Sequence, residues 1–445
     1  MRRTVQQRYP VRYWLTLAYL TGLPNFIHFD PTGLTHRAAL NLSSLSDIGL
    51  TALMVVMLVV VTALSKEGLF VRKFKFHGLM WIVLLLGLTL STILQPDPRF
   101  YPAKATDSLI SLYRLGQCVL GFLLIVSLYS RAEEDEAPGM LTQFIARMCW
   151  ANLITIWVMV PIVPSLAYVS EDGTGATIAR LGGIAIHPSM IALEAAVAFL
   201  HSFLILRGSR RVIGCVFSLL SLALTYTRST EVVCLLVFLL YVIFLSRSSS
   251  IRWLGVGTVL LAVCVGAVFH NKVETYMLRG QREADASSAN GRTIIWDVAI
   301  QAWADHPILG YGYISGPKNA IRDNWRQAHW LPPHAHNEFL QALLTGGVFS
   351  GGLIIWLYAY ITWKGYRRAR YDEHTMFFFL VWLILVFISV VSTNITTGFG
   401  KPGVFFLGCF LVLVAEARRS PGMLPARFSV KNPRTNDWKL TEVRL

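Results

Sequence analysis

The sequence predicts an all-α polytopic membrane protein of about twelve transmembrane helices, with one larger helical loop on the outer face. Three observations predict this. Only 15% of the 445 residues are charged and 54% are hydrophobic, with a mean hydropathy of +0.52. A soluble globular chain carries about 25% charged residues. Apolar stretches of about twenty residues recur, the length a helix needs to cross a bilayer. The runs are continuous, as in Met54–Ala63 and Phe377–Val391, not alternating. Backbone groups in hydrocarbon must be bonded internally, which leaves helices or a closed barrel, and continuous runs exclude the barrel.

The twelve expected spans are Tyr13–Phe29, Asp47–Ser65, Phe76–Gln95, Ser108–Tyr129, Gln143–Ile162, Pro188–Leu206, Val212–Thr227, Glu231–Ser246, Trp253–His270, Asn337–Trp363, Met376–Thr393 and Val404–Glu416. The first lacks a small-residue cleavage site and reads as a span, not a signal peptide. With both termini in the cytoplasm, inner segments hold 25 of the 40 basic residues. The short outer loops hold six. That asymmetry fits the positive-inside rule, and removing one span would scramble it. The same bias accounts for the net charge of +15 without nucleic acid as a partner. All six cysteines (Cys118, Cys149, Cys215, Cys234, Cys264 and Cys409) fall in apolar runs, where they pack as small apolar residues and imply no disulfide.

Four regions follow: nine spans over 1–270, an outer loop over 271–336, three spans over 337–417 and a basic tail over 418–445. In the loop, Arg292–His306 forms an amphipathic helix with Ile295, Trp296, Ala299 and Trp303 on one face. Pro307 ends it, and Gly310-Tyr311-Gly312-Tyr313 follows as a turn. The tail is polar, basic and Pro-containing, a composition for a weakly ordered extension.

Ionisable groups beside membrane spans are costly and often functional. Four stand out on the outer face: Arg180, Arg228, Arg292 and His336. Each has a bland reading. Arg180 and Arg228 would serve as interfacial anchors, Arg292 as a solvated helix-start residue and His336 as a structural histidine. Together they suit a charged reaction. Arginine forks bind phosphate oxygens bidentately. A diphosphate leaving group gains negative charge as its bond to sugar breaks, and fixed arginines stabilise that state most. A neutral histidine can take a proton from a hydroxyl. His334, two residues before His336, raises the question of zinc, but no further patterned ligands accompany the pair and no metal is assigned. Arg114 and Glu194 lie within spans, as cavity-lining residues or as partners of each other; the mutual pairing is the favoured reading. Asn337, beside His336, is a supporting candidate.

The motifs resemble a known family. Gly291-Arg292 with Trp296, His306-Pro307-Ile308-Leu309-Gly310-Tyr311-Gly312, and His336-Asn337 with Leu340 and Gly346 are similar to the O-antigen ligase and polymerase superfamily. Arg180-Leu181-Gly182-Gly183 with His187-Pro188 resembles its upstream stretch, and Thr227-Arg228 its "S-R" turn, with threonine in place of serine. The resemblance implies an inner-membrane glycosyltransferase with a periplasmic site and no cofactor. It implies undecaprenyl-diphosphate-linked glycan as donor and lipid A–core as acceptor. It implies His336 as base and Arg180, Arg228 and Arg292 as diphosphate contacts. One candidate base and no evident carboxylate nucleophile imply inversion at the anomeric carbon.

Within the family, the runner-up is an O-antigen polymerase with a second lipid-linked glycan as acceptor; a protein O-oligosaccharyltransferase comes third. A transporter of the same lipid is the alternative from another class. Transport would call for inverted repeats and charges in both membrane halves. The candidate residues here share one face, and no clear internal repeat is visible.

Overall fold

The computed structural model describes residues 48–49, 51–59, 78–96, 105–131, 137–169, 179–182, 187–246, 249–269, 271, 291–326, 331–396, 400–415, 428–431 and 438–441. The first expected span, the basic segment 66–75 and most of the early outer loop lie outside them. Among the described residues the architecture is helical. The order is α1 (Gly78–Ile93), α2 (Ala105–Arg131), α3 (Ala137–Ile162), β1 (Tyr168–Val169), β2 (Arg180–Leu181), α4 (Pro188–Leu204), α5 (Gly208–Leu224), α6 (Arg228–Leu240), α7 (Ser249–Val268), α8 (Arg292–Asp305), α9 (Ser315–Asn324), α10 (Glu338–Arg368), α11 (Glu373–Ser389), α12 (Lys401–Phe410), β3 (Phe428–Lys431) and β4 (Trp438–Thr441). Ten of these helices stand where apolar runs predict spans. Among the described residues, four stretches are long and apolar enough to cross a membrane: Ser108–Ser127, Ala137–Ile162, Arg228–Leu245 and Glu338–Arg368. Shorter apolar helices accompany them.

Burial follows composition. Helix α4 is apolar nearly all round and is buried along most of its length, as is α11. A helix apolar on every face belongs inside a bundle or in lipid. These two form the centre, with α3, α5, α6, α10 and α12 packed around them. Helix α5 shows the other solution. Val212, Ile213 and Val216 are more than 60% exposed, while Gly214, Ser218, Ser221 and Leu222 face α4 and its neighbours. An apolar outward face with small residues inward is what a lipid-facing helix requires. Gly214 lets the two helices approach, since a Cβ there would lie 2.5 Å from the Ser202 hydroxyl of α4.

Two short antiparallel ladders interrupt the helices. Strand β1 pairs with β2, matching Tyr168 to Leu181 and Val169 to Arg180. Strands β3 and β4 pair within the basic tail, where composition predicts no regular structure.

Helix α10 is broken. Gly347 has φ 58° and ψ −158°, which ends the first half-helix after two turns. The unpaired backbone groups are claimed by the turn after α8. Tyr311 and Gly312 donate their N–H groups to the carbonyls of Leu344 and Thr345, at 2.7 and 3.0 Å. Val348 and Phe349 donate to Pro307 and Ile308. The Ser91 hydroxyl of α1 lies within hydrogen-bond distance of both the Leu309 and Thr345 carbonyls and can donate to either, closing the junction from a third side. Thus the His306–Gly312 motif is a plug for a helix break, which satisfies backbone groups that would otherwise be orphaned.

A buried ion pair ties α4 to α12. Lys401 Nζ lies 2.6 Å from Glu194 Oε1, with side-chain exposures of 12% and 0%. Asn152 of α3 donates to the same oxygen at 2.9 Å. The expected Arg114–Glu194 pairing is therefore corrected. Glu194 takes Lys401, and Arg114 donates to Gln117, one turn along its own helix. Sequence favoured Arg114 because it lies in an apolar run; Lys401 opens its helix directly beside Glu194. Lys401→Met strands a buried carboxylate, and breaking such a pair costs about 3–5 kcal/mol. The expected result is a marked drop in thermal stability of the detergent-purified protein, with recovery in the Lys401→Met/Glu194→Gln double variant. Equal stability of the single variant and the parent would show the pair to be immaterial.

Candidate functional site

The first element is the segment entering α10. Asn337 is its N-cap, its Oδ1 accepting from Phe339 and Leu340 N–H groups at 2.9 and 3.0 Å. Its side-chain amide donates to the Val390 carbonyl. Glu338 is fully buried, and its carboxylate accepts from the backbone N–H groups of Asn394, Ile395 and Thr396 and from the Thr396 hydroxyl. On the other side, Ala335 donates its N–H to Gln341 Oε1. His336 is thus pinned from both flanks. It sits at φ 48°, a left-handed conformation that a non-glycine residue rarely adopts. Such strain persists where surrounding contacts over-determine it, and it clusters at functional sites.

His334 and His336 face each other with ring centroids 4.0 Å apart. The His336 N–H donates to His334 Nδ1 at 3.2 Å. In its neutral form His334 therefore carries its proton on Nε2. Burial, then the charge of Arg292, pushes His334 down to about 4. His336 is also driven well below the ordinary histidine value, first by burial and then by His334, Arg292 and His187. Both rings are neutral at pH 7.

Arg292 opens α8 after Gly291, and this helix packs its buried Ile295, Ala299 and Ala302 toward α9 and α10. A helix does cover Arg292–Asp305, but Trp296 and Trp303 are only partly buried while Ile294 and Ile300 are exposed, so its apolar residues are not confined to one face. Arg292 feels the charge of Arg228, and Arg228 that of Arg180 and Glu231. Arg228 is the first residue of α6, after a turn whose Tyr226 has φ 47°.

Arg180 has a different part. It is only 6% exposed. Its Nε donates to the Thr225 carbonyl at 3.0 Å, and Nη2 to the Thr227 hydroxyl at 3.1 Å. It clamps the turn that presents Arg228. The motif resemblance implies a diphosphate contact for it, which these two bonds do not test; the carbonyl it holds is 45 residues away, beyond the reach of any local pattern.

The site therefore gathers Arg180, Arg228, Arg292, His334 and His336 from four separate segments. His187 joins them. It caps α4, its Nδ1 accepting from the Ser189 N–H at 3.2 Å, and its charge acts on both His334 and His336. In the sequence His187 enters only as part of a motif stretch and is given no role; a histidine just before a span, on the same face as the arginines, was the available signal. Arg114 and Glu194 lie in other polar networks, with Gln117 and with Lys401. Among the described residues, no cluster of three or more His, Cys, Asp or Glu side chains could hold a metal ion.

Chemically, the arrangement offers two half-buried cations, a clamped turn beside one of them and a pair of neutral imidazoles. These features define an integral membrane protein with a basic, histidine-bearing site at the junction of its helices. Residues 213–357 are similar to the family model described as O-antigen ligase, the family whose motifs the sequence resembles. That segment contains Arg228, Arg292, His334 and His336, while Arg180 and His187 precede it. The family implies an enzyme of the glycosyltransferase kind. No curated protein matches the chain.

Proposed function

We propose that this protein is an O-antigen ligase. It transfers glycan from undecaprenyl diphosphate to a sugar hydroxyl of lipid A–core, on the periplasmic side of the bacterial inner membrane. The observation that carries the reading is the placement of a strained, neutral His336 beside Arg292, with Arg228 next in line.

His336 takes the proton of the acceptor hydroxyl. The acceptor oxygen forms its bond to the anomeric carbon as the bond from that carbon to the diphosphate oxygen breaks. The electron pair leaves with undecaprenyl diphosphate. Arg228 and Arg292 meet the charge that gathers on its phosphate oxygens, where preorganised donors favour the transition state. Arg180 holds the Arg228 turn in place. A single direct displacement inverts the anomeric centre. No step calls for a metal ion.

The test is transfer from undecaprenyl-diphosphate glycan to purified lipid A–core, with chelator present. A chelator-resistant shift of lipid A–core, with inverted configuration in the product, supports the proposal. Longer lipid-linked glycan with unmodified lipid A–core would assign a polymerase instead. Loss of activity with chelator, or retention of configuration, would overturn the mechanism.

A further inference from the structure

The second half of α10 carries a face that the site does not use. Trp356, Tyr360, Trp363, Lys364 and Arg367 recur at helical spacing and fall on one side. Trp356 and Tyr360 stack with ring centroids 4.9 Å apart and planes 9° apart. Lys364 Nζ lies 5.7 Å from the Tyr360 ring centre and 5.0 Å from that of Trp363. Arg367 Cζ lies 4.5 Å from the Trp363 ring centre. The two tryptophans stay about half exposed, at 48% and 47%. Of the first two acidic residues beyond the helix, Asp372 caps α11 by accepting from the Thr375 N–H, and Glu373 is paired with Arg207. Lys364 and Arg367 are therefore cations held against aromatic faces, without a carboxylate partner among the described residues.

We propose that this face binds the phosphodiester headgroup of an acidic glycerophospholipid. Cation–π seating fixes the ammonium and guanidinium while leaving their N–H groups able to donate. An arginine edge and a lysine ammonium three residues apart grip a phosphate from two sides. The aromatic stack below them offers an apolar wall to the acyl chains, the surface that tryptophan and tyrosine provide at a membrane interface. The position fits. Arg367 lies about 30 Å along the helix from the Gly347 break, which separates the two ends by about a bilayer's thickness. A water-soluble anion would have no use for the exposed rings. The proposal does not rest on the transferase reading.

The experiment uses full-length protein in nanodiscs, with brominated phosphatidylglycerol or brominated phosphatidylcholine titrated against tryptophan fluorescence. The quenched signal of this face is the part lost in the Trp356→Phe/Trp363→Phe variant. The acidic lipid is expected to reach half-maximal quenching at about tenfold lower mole fraction than the zwitterionic lipid. Lys364→Gln/Arg367→Gln is expected to abolish that preference, while circular dichroism and elution volume stay unchanged. Equal quenching by the two lipids would overturn the proposal. So would a preference that survives in the double variant, or a second copy of the chain that covers the face and prevents quenching.

Discussion

His336→Ala is expected to lower transfer by about 10²–10⁴-fold, the usual contribution of a positioned general base. Donor affinity should change little, because Arg228 and Arg292 remain. The loss should therefore fall on kcat more than on KM. The pH profile gives a second and independent reading. The base must be neutral, and activity fails as pH drops through its folded pKa. Burial and the neighbouring positive charges hold that pKa well below 6.5. The acid limb of kcat/KM, which reports the free enzyme, is therefore expected below pH 6.5. Bound diphosphate brings negative charge near the ring and favours the imidazolium, so the limb of kcat should move to higher pH. Full activity in His336→Ala, or a kcat/KM limb above 6.5, would remove His336 as the base. His334 offers a control. Its Nδ1 holds the His336 backbone, so His334→Ala acts through position. It should lower kcat less than His336→Ala and leave the direction of the pH effect unchanged.

What sequence could show was set by the range of each interaction. Helix positions were legible because lipid demands long apolar runs, and each run marks itself. The stretch from Pro188 to Leu204 is apolar on every side, and it lies at the centre of the bundle. The candidate residues could be named because Arg228 and His336 sit at the ends of such runs and Arg292 opens the helix of the outer loop. The division of labour among the arginines was not. Arg180 and Arg228 look alike in sequence, yet one donates to a carbonyl and a hydroxyl of the turn that carries the other. Lys401 and Glu194 are separated by more than two hundred residues, and no local pattern links them. The break in α10 was hidden for a related reason. Hydrophobicity runs straight through Gly346 and Gly347, and only the tertiary partner reveals where the backbone departs from the helix.

That break sets the second large expectation. Gly347→Ala places a Cβ 2.1 Å from the Ile308 carbonyl oxygen, which is backbone and cannot swing aside. The conformation at φ 58° and ψ −158° is itself nearly closed to residues other than glycine. It adds about 1–3 kcal/mol before the clash is counted. Gly352 lies in the same helix with nothing near its built Cβ, so Gly352→Ala serves as the matched control. Gly347→Ala is expected to lower the thermal midpoint sharply in detergent, and Gly352→Ala to leave it unchanged or raise it slightly. Activity should follow for a geometric reason. The short half-helix ahead of the break carries Asn337, Glu338 and the strained His336, and the turn plugged into the break is the exit from the helix that begins at Arg292. Displacing Ile308 to admit a methyl group moves that turn against the half-helix, and so moves Arg292 against His336. Near-attack geometry tolerates little, and a shift of about 1 Å can cost 10²-fold. A folded remnant of Gly347→Ala should thus lose turnover while keeping every chemical group. If its activity and stability both match Gly352→Ala, the junction is not what holds the two halves of the site in register.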